Sequence, residues 1–274
     1  MDYLVSISPL VCAHVALPPL SYFSGQICRY QEIFDFIYMN ITPKMCIDPS
    51  FVRSLMLDHK NVKVDQQWKW LSYMFVHSSY QHLLMNLRAL CFSGFSVYKR
   101  LGVRGFYTVF FASGVASMLP SSLREAQDNK RSVGVKIMSE LYGKLTGQGI
   151  MHCGSSGAVF GLFGAGAVIS AVGLLSNLYY LLRDSGSRRV QENGEIVHRN
   201  IFGAPVAKQS HQRHNIDRVL FCTMDLIGTA LLVQQEWNTA YNGQSNGVDN
   251  AAHVQGFIFG AGYSLLHIFL SHIH

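Results

Sequence analysis

Six stretches of dense apolar residues, separated by polar segments, run along the chain and predict membrane-spanning helices. They cover roughly residues 4–24, 71–95, 105–121, 155–182, 217–236 and 251–271. Most approach the ~20 residues that a helix needs to cross a bilayer. The first carries prolines that would kink it, namely Pro9, Pro18 and Pro19. The pattern predicts an all-α fold: a polytopic bundle of six transmembrane helices in a single domain, residues 1–274.

The polar segments between these stretches predict loops and a topology. They are residues 26–70, the short basic turn "YKRLGVR", an inserted segment 122–152, and a hydrophilic loop 183–216. The basic turn favours a cytosolic N-terminus, because positive charge gathers on the cytosolic side of a membrane protein. The glycosylation sequon at Asn40 would then face the opposite side.

Composition supports a membrane protein over a soluble helical one. Hydrophobic residues make up 49% of the chain and charged residues 14%, whereas soluble proteins carry roughly 25% charged residues. The net charge of +6 is spread over the polar segments, so no basic groove indicates nucleic-acid binding. The N-terminus lacks a basic signal-peptide region and an Arg-rich transit pattern, which favours a secretory-pathway or plasma membrane over the mitochondrial inner membrane.

Polar side chains at membrane depth are candidates for a functional site. His82 and Asn86 share a face of the second predicted span, Ser155 and Ser156 begin the fourth, and His253 lies near the start of the sixth. Singly, each has a structural alternative: a serine can cap the helix, and histidine or asparagine can hydrogen-bond between helices. Two further charged residues, Asp225 and Arg88, could pair or extend to the membrane surface.

Together these residues supply the parts of a serine hydrolase. A serine nucleophile needs a general base, for which histidine is suited near neutral pH, and an oxyanion needs donors such as histidine, asparagine or a backbone N–H. The spacing also supports proximity, since small residues four apart let helices approach closely. The fourth and sixth spans each carry such a pair, Gly157 with Gly161 and Gly256 with Gly260. Close packing there would bring Ser156 within reach of His253.

Three motifs resemble those of the rhomboid intramembrane serine proteases. They are "GSSGAVFG", with Gly154, Gly157 and Gly161 as its glycines, then "HSSYQHLLMN" and "AHVQGFIFG". The resemblance covers roughly residues 66–121 and 152–271. It implies that Ser156 is the nucleophile and His253 the general base, in a dyad that lacks a third carboxylate.

The resemblance also implies roles for neighbouring residues. His82 and Asn86, with the N–H of Ser156, would form the oxyanion hole, while His77 would be supporting and Phe160 would pack on the catalytic imidazole. The expected substrates are single-span membrane proteins within the lipid bilayer, cleaved in or near their membrane segments. No cofactor or metal is expected.

The chain departs from the family pattern mainly in the inserted segment 122–152, and in Lys69 and Ser155, where arginine and alanine are usual. One alternative is a catalytically inactive rhomboid-like protein that binds or escorts membrane helices. Another is a transporter or proton channel using histidines and Asp225 as a relay, but it does not account for the serine motif. An α/β-hydrolase fits poorly, because Ala158 stands where its GxSxG elbow needs glycine.

Overall fold

Helices form most of the regular structure in the computed structural model. It describes residues 2–16, 49–58, 62–121, 123–125, 127, 151–185, 188–192, 195–199, 209–242 and 248–271. The α-helices are α1 (Asp2–Ala16), α2 (Pro49–Ser54), α3 (Lys69–Ser72), α4 (Tyr80–Ser117), α5 (Ser156–Ser185), α6 (Gln209–Asn242) and α7 (Asn250–Ser271). The fold class predicted from the sequence is therefore confirmed.

The chain divides into two compact units, Met1–Gly166 with Val233–His274, and Ala167–Leu232. The first unit holds all the candidate site residues. The single-domain organisation and the count of six spans stay predictions.

Helix α1 packs against α4 in the first unit. The Tyr3 hydroxyl donates to the Leu90 carbonyl at 2.5 Å, and the Tyr107 hydroxyl donates to the Ser6 carbonyl at 2.6 Å. Pro9 lies inside the helix. The predicted first span continues to residue 24, but 17–24 lie outside the described residues, as does the sequon at Asn40.

Helix α4 is a helical hairpin that bends at Gly102. This residue has φ 70° and ψ −176°, a conformation open to glycine because it has no Cβ. Its two arms, 80–101 and 103–117, lie against each other, since a Cβ added at Gly94 would overlap Phe106. The basic turn predicted between the second and third spans is therefore much shorter than "YKRLGVR", because helical backbone continues to both sides of a single glycine.

The second predicted span begins too early. Its first residues form α3 and a 3-10 turn over Tyr73–Phe75, after which Val76 is extended. Helix α4 begins only at Tyr80, where the Ser79 hydroxyl oxygen accepts a hydrogen bond from the His82 N–H at 3.2 Å. Apolar density continues through this break, whereas the serine cap fixes where the helix starts.

Two of the described helices are long and apolar enough to cross a bilayer, over Ser156–Arg183 and Asn250–Ser271. Both agree with predicted spans to within a few residues. They pack closely in the first unit, where a Cβ added at Gly256 would overlap the Gly157 carbonyl and one at Gly260 the Gly161 carbonyl. The small residues thus allow backbone-to-backbone contact between α5 and α7.

The second unit contains a strand pair where the sequence predicted only loop. Strands β1 (Arg188–Glu192) and β2 (Glu195–Arg199) are antiparallel, with Val190 opposite Val197. The dipeptide Asn193-Gly194 between them is a strong hairpin signal that hydropathy does not register. In the same unit the Ser170 hydroxyl donates to Asp225 at 2.6 Å.

Helix α6 is longer than the predicted fifth span, 217–236. It runs from Gln209 to Asn242, so the helix continues at both ends beyond its apolar part. Hydropathy locates only that apolar part.

Candidate active site

The loop before α5, residues 152–155, is held by backbone hydrogen bonds and leads into the two serines at the start of that helix. The His152 N–H donates to the Leu57 carbonyl at 2.8 Å, and the Gly154 N–H donates to the Tyr73 carbonyl at 2.9 Å. Gly154 has φ 108°, which favours glycine, and a Cβ there would also overlap the ring of His82. The glycine therefore lets His82 lie directly against the loop before Ser156.

The two serines have different environments. Ser155 is fully buried, and its hydroxyl lies 2.8 Å from Nε2 of His14. Nδ1 of His14 lies 2.6 Å from the Leu10 carbonyl, which can only accept, so Nδ1 carries the proton and the Ser155 hydroxyl donates to Nε2. The Ser155 carbonyl also accepts from the Val159 N–H in the first turn of α5. Ser155 is thus engaged in structure, whereas Ser156 is only half-buried.

His253 lies beside the first turns of α5. Its ring stacks on Phe160, with centroids 4.2 Å apart and planes 7° from parallel. Phe160 follows Ser156 by one helical turn, and Gly157 faces the Ala252 carbonyl of α7. Among the described residues no hydrogen bond joins the Ser156 hydroxyl to His253, and such bonds are often long before substrate binds.

His253 has an acidic partner that the sequence analysis missed. Its Nδ1 lies 2.8 Å from Oε2 of Glu236 on α6. Glu236 is the last residue of the predicted fifth span, 217–236. Its residue type was a usable signal, because a carboxylate at the end of a membrane span usually has a partner. The sequence alone did not identify that partner.

The pair His82 and Asn86 lies on one face of the first arm of α4. Nδ1 of His82 is 3.1 Å from the Ser78 hydroxyl. Asn86 is buried, and its Nδ2 has no hydrogen-bond partner in the part of the chain that the structure describes. An unpaired buried donor is uncommon in folded proteins, and this one is available to an acceptor that the described residues do not supply. His77 is buried too, with its ring between His14 and His82, at centroid distances of 5.5 and 5.2 Å.

The loop before α7 is fixed by the two ends of the inserted segment. Oδ2 of Asp249 contacts Nη1 of Arg124 at 2.7 Å and Nδ1 of His152 at 2.9 Å. Its Oδ1 accepts from the Ala252 N–H, and Gln127 accepts from the Ala251 N–H at 2.8 Å. Residues 122, 126 and 128–150 of the predicted insertion lie outside the described residues.

This cluster keeps Asp249 ionised. Burial alone would raise the pKa of its carboxyl group, but the hydrogen bond from His152 and the charge of Arg124 outweigh burial and hold the pKa well below its usual range. Asp249 is therefore negatively charged, and its position just before α7 lets it interact favourably with the dipole of that helix.

One segment of the chain, which includes the serine motif, matches a family model. Residues 64–179 match the Rhomboid domain. Over that segment the chain is similar to rhomboid proteins. The family resemblance drawn from the motifs is thereby confirmed, and a rhomboid domain implies a membrane protein. The match includes Ser156 and the first-arm residues of α4, and it ends before Glu236 and His253.

Among curated proteins, the chain is similar to RHOMBOID-like protein 5 of Arabidopsis thaliana. The two are 26% identical over 131 residues, which is 47% of this chain and 36% of the relative. The chain thus spans about a third of that relative's length. No solved structure matches the chain significantly.

Proposed function

We propose that this protein is a rhomboid-type intramembrane serine endopeptidase that cleaves the membrane segments of single-span proteins. The observation that carries the proposal is the His253 ring stacked on Phe160, one turn from the half-buried Ser156. Stacking holds the imidazole in one plane beside the first turns of α5. The close contacts of Gly256 and Gly260 with α5 keep the two helices in register.

In the proposed reaction, the Ser156 oxygen attacks the scissile carbonyl carbon while Nε2 of His253 takes the hydroxyl proton. His253 then gives that proton to the leaving amine, which forms an acyl-enzyme on Ser156. Water, deprotonated by His253, releases the second product and restores the serine.

Asn86 and His82 would stabilise the oxyanion of the tetrahedral intermediate. The unpaired Nδ2 of Asn86 is available as a donor. If the Ser78 hydroxyl donates to Nδ1 of His82, Nε2 of His82 carries a proton and is a second donor. The N–H of Ser156, at the start of α5, would be a third.

An inactive protein that only binds or escorts membrane helices is the alternative. Such a protein needs neither the Ser156 hydroxyl nor an oriented imidazole, yet the chain has both. Residence in a secretory-pathway or plasma membrane belongs to the same proposal, and the sequon at Asn40 supports it.

The test is cleavage of a model single-span substrate by the full chain in proteoliposomes. Ser156→Ala and His253→Ala are each expected to lower the cleavage rate by roughly 10³-fold or more. His267→Ala is the matched control, because His267 lies on the same helix and its ring contacts Tyr263. Cleavage that persists in Ser156→Ala would overturn the proposal, and substrate binding without any cleavage by the wild type would favour the escort alternative.

A further inference from the structure

The contact between α6 and α7 suggests that the catalytic group has three members. We propose that Glu236 is a positioning residue that completes a Ser156–His253–Glu236 triad. This inference rests on the proposed function and departs from the dyad that the family resemblance implies.

The hydrogen bond between Glu236 and His253 fixes the tautomer of the imidazole. Nδ1 and Oε2 are 2.8 Å apart, and the two side chains are 9% and 14% exposed. A carboxylate only accepts hydrogen bonds, so Nδ1 of His253 carries the proton. The lone pair of the neutral ring is then on Nε2, which is the atom that must take the proton of Ser156.

A second donor holds the Glu236 carboxylate in position. Nδ2 of Asn250 donates to the same Oε2 at 2.5 Å. Asn250 is buried and is the first residue of α7, so it lies one turn before His253 on the same helix. Both donors therefore come from α7, and the carboxylate cannot turn away from His253 without breaking the bond to Asn250.

A second carboxylate near His253 in the described part of the chain, that of Asp249, has other partners. Its two oxygens contact Arg124, His152 and the Ala252 N–H. Glu236 is thus the carboxylate whose hydrogen bond reaches the His253 ring. Among the residues that the structure describes, His82 on α4 also interacts electrostatically with that ring.

The chemistry needs no proton transfer to Glu236. When Nε2 of His253 takes the Ser156 proton, the ring becomes a cation beside an ionised carboxylate, and this ion pair stabilises the transition state. Glu236 keeps its charge throughout. It acts through His253 and does not touch the substrate.

Steady-state kinetics on the full chain in proteoliposomes test this role. Glu236→Gln is expected to lower kcat by roughly 10²–10⁴-fold with KM unchanged, and Glu236→Asp to recover part of that loss. Asp225→Asn is the matched control: it removes a carboxylate from the same helix, one that bonds to Ser170, and should leave kcat unchanged. A Glu236→Gln enzyme with wild-type kcat, or with a raised KM alone, would overturn the inference.

Nuclear magnetic resonance of the ¹⁵N-histidine-labelled protein gives a second readout that needs no substrate and no variant of Glu236. The signal of His253, assigned by its loss in His253→Ala, is expected to show a protonated Nδ1 and an unprotonated Nε2 in the neutral ring. The opposite tautomer would overturn the inference even in an active protease. Conversely, the expected tautomer in a protein that cleaves nothing would contradict the proposed function and leave the Glu236 hydrogen bond standing.

Discussion

At the residue scale, the two adjacent serines are distinguished by their partners. Ser155 donates to His14 from a fully buried position, while Ser156 is half-buried beside the turn that carries Phe160. The sequence suggested a cap or a neighbour for Ser155. Its bond to a histidine 141 residues away could not be predicted, because no local pattern links α1 to the serine motif.

Ser155→Ala is therefore expected to keep cleavage activity and lose stability. Removing the hydroxyl leaves Nε2 of His14 buried without its donor, which costs about 1–3 kcal/mol of unfolding free energy. The measurement is thermal unfolding in detergent together with the cleavage rate in proteoliposomes. An inactive Ser155→Ala protein with an unchanged melting temperature would contradict the assignment of Ser156 as the nucleophile.

At the scale of elements, the packing of α5 against α7 was more predictable than the ends of the helices. The spacing of four glycines predicted close approach of the two helices. In the structure Gly256 and Gly260 of α7 lie against the carbonyl groups of Gly157 and Gly161 of α5. The helix starts were harder, because hydropathy does not detect the cap at Ser79 or the bend at Gly102. The role of Glu236 could not be predicted either, because it depends on which helix packs beside α6.

A methyl group at this interface is expected to separate the helices. Gly260→Ala would overlap the Gly161 carbonyl, whereas Gly262→Ala on the same helix meets no atom within 4 Å. Gly260→Ala should lower the unfolding free energy by about 1–3 kcal/mol and reduce cleavage, because it displaces His253 from Ser156. Unfolding and cleavage are measured side by side, and equal behaviour of the two variants would argue against the close contact.

At the scale of the whole molecule, the ends of the inserted segment join distant parts of the first unit. Arg124 bonds to Asp249 and also donates to the Ser117 carbonyl at 2.5 Å, while His152 reaches the same Asp249 from the serine loop. The sequence showed an insertion but gave no partner for it. These contacts link the second arm of α4, the serine loop and the start of α7.

This linkage predicts a loss of stability in acid. The folded-state pKa of Asp249 lies below its unfolded value of about 3.9, so its contribution is complete above that pH and is lost as the pH falls below it. Asp249→Asn should unfold more easily at neutral pH, by on the order of 3 kcal/mol, because the buried Arg124 loses its partner. It should also show a weaker loss of stability than the wild type below about pH 4. Melting temperatures of both proteins from neutral to acidic pH are the measurement, and parallel curves would contradict the linkage.

The central claim is that the Ser156 oxygen is a nucleophile activated by His253. Its most direct test is covalent labelling of the membrane-reconstituted protein with a fluorophosphonate, followed by peptide mass spectrometry. The account predicts one phosphonyl group on Ser156, none on Ser155, and loss of labelling in His253→Ala. Labelling on Ser155, or labelling of Ser156 at the same rate in His253→Ala, would contradict it.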